Sequence, residues 1–268
     1  MVGNPPISIR VDPANPGQFF ACCGLLELAD RLWRGAEGWF GDSSFHIRRV
    51  NVADNTATLN ALLRQIAAAE LKQLDDGDPY ASPIHFAKPF CMTLDWWKDK
   101  AAGGGRLKVW AGRMQSVRIA KAMQAAIGGP ECQTDEVFDF ASVVHDPADS
   151  RKKVEPYYFD SRRGANAKSL DIGFAPDSLS MTTAAYPAVE FLCLVGLQRC
   201  RPMPTAKSHL FEYYTWTVPC SPEILPAAVC GLLGDPGSQG YRFEVGYRTD
   251  QRKHKSFLPS TPIEGGVR

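Results

Sequence analysis

The sequence predicts an α+β fold that opens on a β-α-β unit and is elaborated with buried helices and basic loops. Three observations predict it. Ile7, Ile9 and Val11 alternate with Ser8, Arg10 and Asp12, the period of a half-buried strand. Residues 19–34 keep helical spacing but are apolar on nearly every side. Residues 45–50 form a second strand pattern, and later segments mix both periods with no internal repeat.

Each element has local reasons. Asn15 suits the N-cap of the first helix and Pro16 its first position, where a missing N–H costs nothing; Gly35 stops it. Phe19, Cys22, Cys23, Leu26 and Trp33 follow the helical repeat, and Phe20, Leu25 and Leu28 make the other side apolar too. Residues 55–74 read as an amphipathic helix with Leu59, Leu62, Leu63 and Ile66 as its stripe, ended by Asp75-Asp76-Gly77-Asp78-Pro79. Residues 90–97 and 107–110 read as two strands joined by a turn over 98–106 that contains Gly103-Gly104-Gly105. A helix over 114–127 carries Val117, Ala120, Met123 and Ile127 on one side and stops at Gly128-Gly129-Pro130.

Residues 136–144 read as a strand. Residues 145–180 keep no period and are rich in Asp, Ser, Arg, Lys and Gly; connections that long tend to be functional or disordered. A buried helix over 188–198, an aromatic strand over 211–218, a short capped helix over 221–233 and a final strand over 241–248 follow. The expected organisation is an N-terminal α+β module over 1–144, the irregular basic loop over 145–180 and a C-terminal α+β part over 181–268 packed on the first. At 268 residues the chain also has the length of one large domain.

Composition excludes several classes. With 44% apolar and 22% charged residues the chain is an ordinary folded protein, not a disordered tail. Net charge is only +1, so a nucleic-acid partner would have to be held by local clusters. Such clusters exist: residues 86–127 hold eight bases against Asp95 and Asp99 alone. The N-terminus shows no secretory signal pattern, and the longest apolar stretch, 184–197, is broken by Pro187 and Glu190, short of the roughly 20 residues a spanning helix needs. A cytoplasmic protein without a membrane partner is expected. The eight cysteines form no C-x-x-C pair and several sit in apolar runs, so free core cysteines are expected rather than disulfides or zinc, and no cofactor is expected.

Three basic segments are candidate nucleic-acid contacts. In the first, a glycine-rich turn precedes a helix N-terminus, with Arg106, Lys108, Arg113, Arg118 and Lys121 supplying charge; backbone and cations there suit a phosphate, and Trp96, Trp97 and Trp110 offer stacking surfaces. An ordinary hairpin tip and solvated helix face, with the tryptophans in the core, is the other reading. The second segment sets Arg151, Lys152 and Lys153 and then Arg162, Arg163 and Lys168 on either side of Tyr157-Tyr158-Phe159, an interleaving that suits a phosphate backbone with exposed bases; a solvated loop is its alternative. The third is the tail Tyr247–Lys255, with Arg252, Lys253 and Lys255, either an extension of the positive surface or a solubilising terminus.

Catalytic patterns are thin. The five histidines make no H-E-x-x-H or H-x-E pattern, and there is no G-x-S-x-G elbow and no G-x-x-x-x-G-K-[ST] loop. A metal-free ribonuclease needs only a general base and a positive group, for which His145 or His254 beside lysines would serve.

Four blocks carry a resemblance. Asp12-Pro13-Ala14-Asn15-Pro16-Gly17-Gln18-Phe19-Phe20-Ala21-Cys22-Cys23-Gly24-Leu25-Leu26-Glu27-Leu28-Ala29-Asp30 is the first. Leu107-Lys108-Val109-Trp110-Ala111-Gly112 is the second, and Asp160-Ser161-Arg162-Arg163-Gly164 to Asp171-Ile172-Gly173-Phe174 the third. The fourth runs from Pro187-Ala188-Val189-Glu190-Phe191-Leu192 to Gly196-Leu197. Together they resemble a family of subtype-specific CRISPR-associated proteins encoded with type I-U (also called I-G) interference systems. The resemblance implies a non-catalytic subunit, in the large-subunit role, of the Cascade-type surveillance complex used in antiviral defence. Its implied partners are the CRISPR guide RNA, target double-stranded DNA, the backbone and guide-processing subunits, and the helicase-nuclease. A basic subunit of that kind would hold backbone or read a short flanking motif while base pairing reads the sequence; a purely structural adaptor, whose basic loops contact the acidic faces of other subunits, is the alternative. The β-α-β opening would fit the ferredoxin-type, RRM-like module common among such subunits. The glycine-rich C-terminal loop of the RNA-processing subunits has no match here, Gly237-Ser238-Gln239-Gly240 being too sparse, which argues against guide processing.

Overall fold

The computed structural model describes residues 7–50, 58–110, 112–132, 134–165, 184–247 and 255–264. The chain is α+β, and it opens as β1 (Ile7–Arg10), α1 (Pro16–Trp33), β2 (Ala36–Gly41) and β3 (Ser44–Arg49). The sheet order is β1-β3-β2 with both pairings antiparallel, so β1 and β2 point the same way with β3 between them. Strand β2 is an addition to the expected β-α-β. Its Ala36-Glu37-Gly38 start has little strand propensity, but Asp42 and Ser43 (φ 48° and 61°) make the two-residue turn whose twist suits a hairpin. Asn15 caps α1 as expected, its Oδ1 accepting from Gly17 N at 3.1 Å, and the helix ends on Arg34 in the left-handed region, just before Gly35.

Helix α1 is buried on all sides because it lies between a sheet and a second apolar helix, α6 (Pro187–Arg199). The two meet at Gly24 and Gly196. A Cβ on Gly24 would overlap the Leu192 carbonyl oxygen, and one on Gly196 the Phe20 carbonyl oxygen, so only hydrogen fits at the crossing. The buried side chains form one continuous core from Ile7 to Phe257.

Four expected elements differ. The helix expected over 55–74 is α2 (Leu59–Ala68), capped by Thr58; residues 55–57 lie outside the described residues. The end of that pattern is β4 (Leu71–Gln73), which joins β5 (Ile84–Phe86) and β6 (Met92–Leu94) in the order β4-β5-β6, sheet pairing having overridden the helical pattern. The expected hairpin of 90–97 with 107–110 does not form. Trp96 and Trp97 turn inward and donate from Nε1 to the carbonyls of Leu194 (3.0 Å) and Ala81 (2.7 Å), so the chain coils there and continues into α3 (Gly104–Leu107). Residues 136–144 are turns with one bridge, Ser142 to Ala185, not a strand.

Helix α4 (Ser116–Ile127) stands where expected and packs on α6. The described part of the stretch expected to be irregular holds a hairpin, β7 (His145–Asp146) with β8 (Asp149–Lys153), then a buried segment and α5 (Ser161–Ala165); residues 166–180 of that stretch lie outside the described residues. The C-terminal part carries β9 (Met203–Pro204), β10 (Leu210–Tyr214), α7 (Leu225–Val229), β11 (Gly240–Tyr247), β12 (Lys255–Phe257) and β13 (Thr261–Pro262). Its sheet runs β12-β11-β10-β9 with β13 also on β11, so β11 is not the last strand. Phe40 N bonds to Trp216 O at 2.8 Å and Gly38 bridges Cys220, fastening this part to β2. No described helix is long and apolar enough to cross a membrane.

Candidate nucleic-acid interface

The fold sorts the basic residues into three groups. The first comes together at a cleft of about 510 Å³ between the N-terminus of α4 and the β7–β8 hairpin. Arg113 and Arg118 reach it from the helix side and Lys153 from the end of β8, above Met114, Ile119 and Val154. Two candidate segments 40 residues apart in sequence (113 and 153) thus share one wall-lined site. Arg118 is held by Asp146 at 2.8 Å. Arg113 and Lys153 are exposed and have no carboxylate partner among the described residues. Among the described residues the only acid lining the cleft is Glu155, which takes a hydrogen bond from the Tyr158 hydroxyl. Ser116 fixes the helix start: its N–H donates to Tyr80 O at 2.9 Å and its carbonyl accepts the buried Tyr157 hydroxyl.

Lys121 is exposed one turn beyond Arg118 on α4. Arg151 and Lys152 are exposed on β8 and pair with Asp149 at 3.1 and 3.4 Å, contacts that solvent screens.

The second group forms a cleft of about 370 Å³. Arg106 of α3 and Lys255 of β12 both line it, together with His209, Glu244 and Tyr247. Lys255 Nζ lies 5.7 Å from the Tyr247 ring centroid, and His209 stands 4.0 Å from Glu244. Lys108 is close by, half-buried, with its ammonium 5.2 Å from the Trp110 ring centroid. Burial holds that ammonium below the usual lysine range; Lys98 and Lys255 push the same way, against the pull of Asp78.

The third group is consumed by the core. Arg162 donates to Asp160, to Asp139 at 2.7 Å and to Phe138 O at 2.6 Å, and its guanidinium stacks 3.5 Å from the Tyr186 ring centroid. Asp160 is buried and bonded by Asn15 Nδ2 at 3.0 Å, while Glu190 accepts the N–H groups of Phe159 (3.2 Å) and Asp160 (3.1 Å). Residues of the first, third and fourth sequence blocks therefore meet in one buried network. Burial pushes the Glu190 carboxyl up to about 8, the charge of Asp160 adding to the rise against the N–H bonds it accepts. Arg163 is half-buried, its Nε without a hydrogen-bond partner among the described residues.

The aromatic residues resolve as core. Trp96, Trp97, Trp110, Tyr157, Tyr158 and Phe159 are all buried, so none of them offers a face to a base, and the interleaving of bases and aromatics in sequence is not an exposed interleaving in space. Lys168, Arg252, Lys253 and His254 lie outside the described residues. Sequence reasoning missed His209 and the buried acids; a lone Glu190 inside an otherwise apolar helix was the available signal for the latter. Among the described residues no group of three or more His, Cys, Asp or Glu side chains is placed to hold a metal ion.

No protein-family model, no curated protein and no solved structure matches this chain.

Proposed function

We propose that this protein is a non-catalytic subunit of a CRISPR RNA-guided surveillance complex that holds the sugar-phosphate backbone of guide RNA or target DNA. The observation that supports it best is the convergence on one open cleft of Arg113 and Lys153, neither with a carboxylate partner among the described residues, beside Arg118, which Asp146 holds. Cations so placed neutralise phosphates without reading bases, which is the task of a subunit that leaves sequence to base pairing. The order β1-β3-β2, with α1 connecting parallel β1 and β2 and β3 inserted between them, is a split β-α-β unit, and we read it as part of the ferredoxin-type module of such subunits. The cytoplasmic location, the other Cascade subunits as partners and the recognition of a flanking motif belong to this same reading.

The test is binding of the purified full chain to a labelled guide-type RNA and to a DNA duplex across a salt series. The reading expects affinity to fall linearly in log–log form, with a slope of about 0.9 per phosphate engaged on duplex. Binding that is absent at low salt, or independent of salt, overturns it.

One observation favours a second reading. His145 is the cross-strand partner of Lys153, so a general base and a cation stand together beside the cleft. Metal-free cleavage of a repeat RNA in EDTA would reveal it, and an intact RNA across the pH range removes it.

A further inference from the structure

We infer that the Arg106–Lys255 cleft is a second, separate site that takes one unpaired nucleotide of a single strand, its base on Tyr247 and its phosphate between the two cations. Four features point there. Arg106 and Lys255, 149 residues apart (106 and 255), line the same cleft of about 370 Å³, at the low end of the size range of small-ligand clefts. Neither has a carboxylate partner among the described residues. Tyr247 is 44% exposed, unlike the aromatic residues of the core, and lines the wall of a cationic cleft with the Lys255 ammonium 5.7 Å from its ring centroid. Outside the lining, Lys108 carries a half-buried ammonium that burial, Lys98 and Lys255 hold below its usual range against the pull of Asp78, so an anion placed nearby would relieve it.

The chemistry selects the ligand. A base needs to be unstacked to lie on a side-chain ring, which duplex forbids and a single strand permits. Among the described residues Glu244 is the one acid in the lining, against the two cations Arg106 and Lys255, and it stands 4.0 Å from His209. RNA and DNA share this chemistry, and a pair of strands of the same sequence distinguishes them. The inference rests on the proposal of nucleic-acid binding but on different residues from the first cleft.

The experiment compares Tyr247→Ala, Tyr247→Phe and Arg106→Ala in the full chain against short labelled RNA, single-stranded DNA and duplex DNA, with thermal unfolding as a check on folding. Tyr247→Ala is expected to weaken single-strand binding about five- to 150-fold, the range of one lost stacking contact, and to leave duplex binding unchanged. Tyr247→Phe should retain binding, because the ring stays, and Arg106→Ala should weaken single strands and lower their salt slope by about 0.7. Unchanged single-strand affinity in a folded Tyr247→Ala protein, an equal loss on duplex, or no single-strand binding by the unaltered chain overturns the inference. A folded Arg113→Ala, Lys153→Ala protein separates the two claims: if it binds like the unaltered chain while Tyr247→Ala does not, the first cleft fails and this one stands.

Discussion

Arg162 grips Asp160 through two parallel hydrogen bonds, Nε to Oδ1 at 3.0 Å and Nη2 to Oδ2 at 2.7 Å, and the Asp160 side chain has no exposed surface. An arginine that reads in sequence as part of a basic grip is in space the counter-charge of a buried acid. Removing it would leave that acid in the core without its cation. Arg162→Ala is expected to cost about 3–5 kcal/mol of stability in urea unfolding, with Arg162→Lys recovering only part because an ammonium cannot make the paired contact. A folded Arg162→Ala protein as stable as the original would contradict this role.

The same network makes stability depend on pH in an unusual direction. The Glu190 carboxyl is raised from 4.5 to about 8 in the folded state, so between those two pH values the folded protein holds a proton there that the unfolded chain has released. The stabilisation from this group is complete below about 4.5 and is lost as pH rises through about 8. Unfolding free energy measured from pH 5 to pH 8.5 is expected to carry a falling contribution that Glu190→Gln removes. An identical pH profile in that variant would show that Glu190 is not the group responsible.

The crossing of α1 and α6 predicts intolerance at two glycines. Gly24→Ala and Gly196→Ala each force backbone apart at the centre of the core, and each should cost at least about 1–3 kcal/mol. Gly112, where an added Cβ would meet nothing within 4 Å, is the control: Gly112→Ala should stay within about 0.5 kcal/mol of the original. Equal melting temperatures for all three variants would mean that the helices do not cross this closely.

Thiol chemistry gives a quick check on the packing. Cys91 is exposed, Cys230 is half-buried and the other six cysteines are buried, where burial raises the thiols of Cys22, Cys23 and Cys193 well above their usual range. An Ellman titration of the native protein should show one fast thiol, a slower one, and all eight only after unfolding. Several fast thiols in the native state would contradict the buried assignments.

Much of the fold is legible in the sequence where one physical signal dominates. Asn15-Pro16 and Gly35 bracket α1, and an apolar circumference announces that α1 and α6 are buried, because capping and burial are local properties. The errors fall where tertiary contacts decide. Leu71–Gln73 follows a helical pattern until β5 pairs with it, and Trp96 and Trp97 look like a strand until their indoles find carbonyls at Leu194 and Ala81. The candidate interface was half legible. Sequence shows where cations are dense, but only the fold shows that Arg162 is spent on Asp160, that Arg113 meets Lys153, and that Arg106 meets Lys255.

If Arg113 and Lys153 hold nucleic-acid backbone in one cleft, as proposed, the salt dependence of duplex binding registers both contacts. The full chain and its Arg113→Ala, Lys153→Ala double variant would be titrated against the same labelled duplex from 50 to 200 mM salt. The double variant is expected to bind more weakly and to lower the slope of log affinity against log salt by about two, one for each phosphate contact removed. A folded double variant with the slope and affinity of the original chain would contradict the claim.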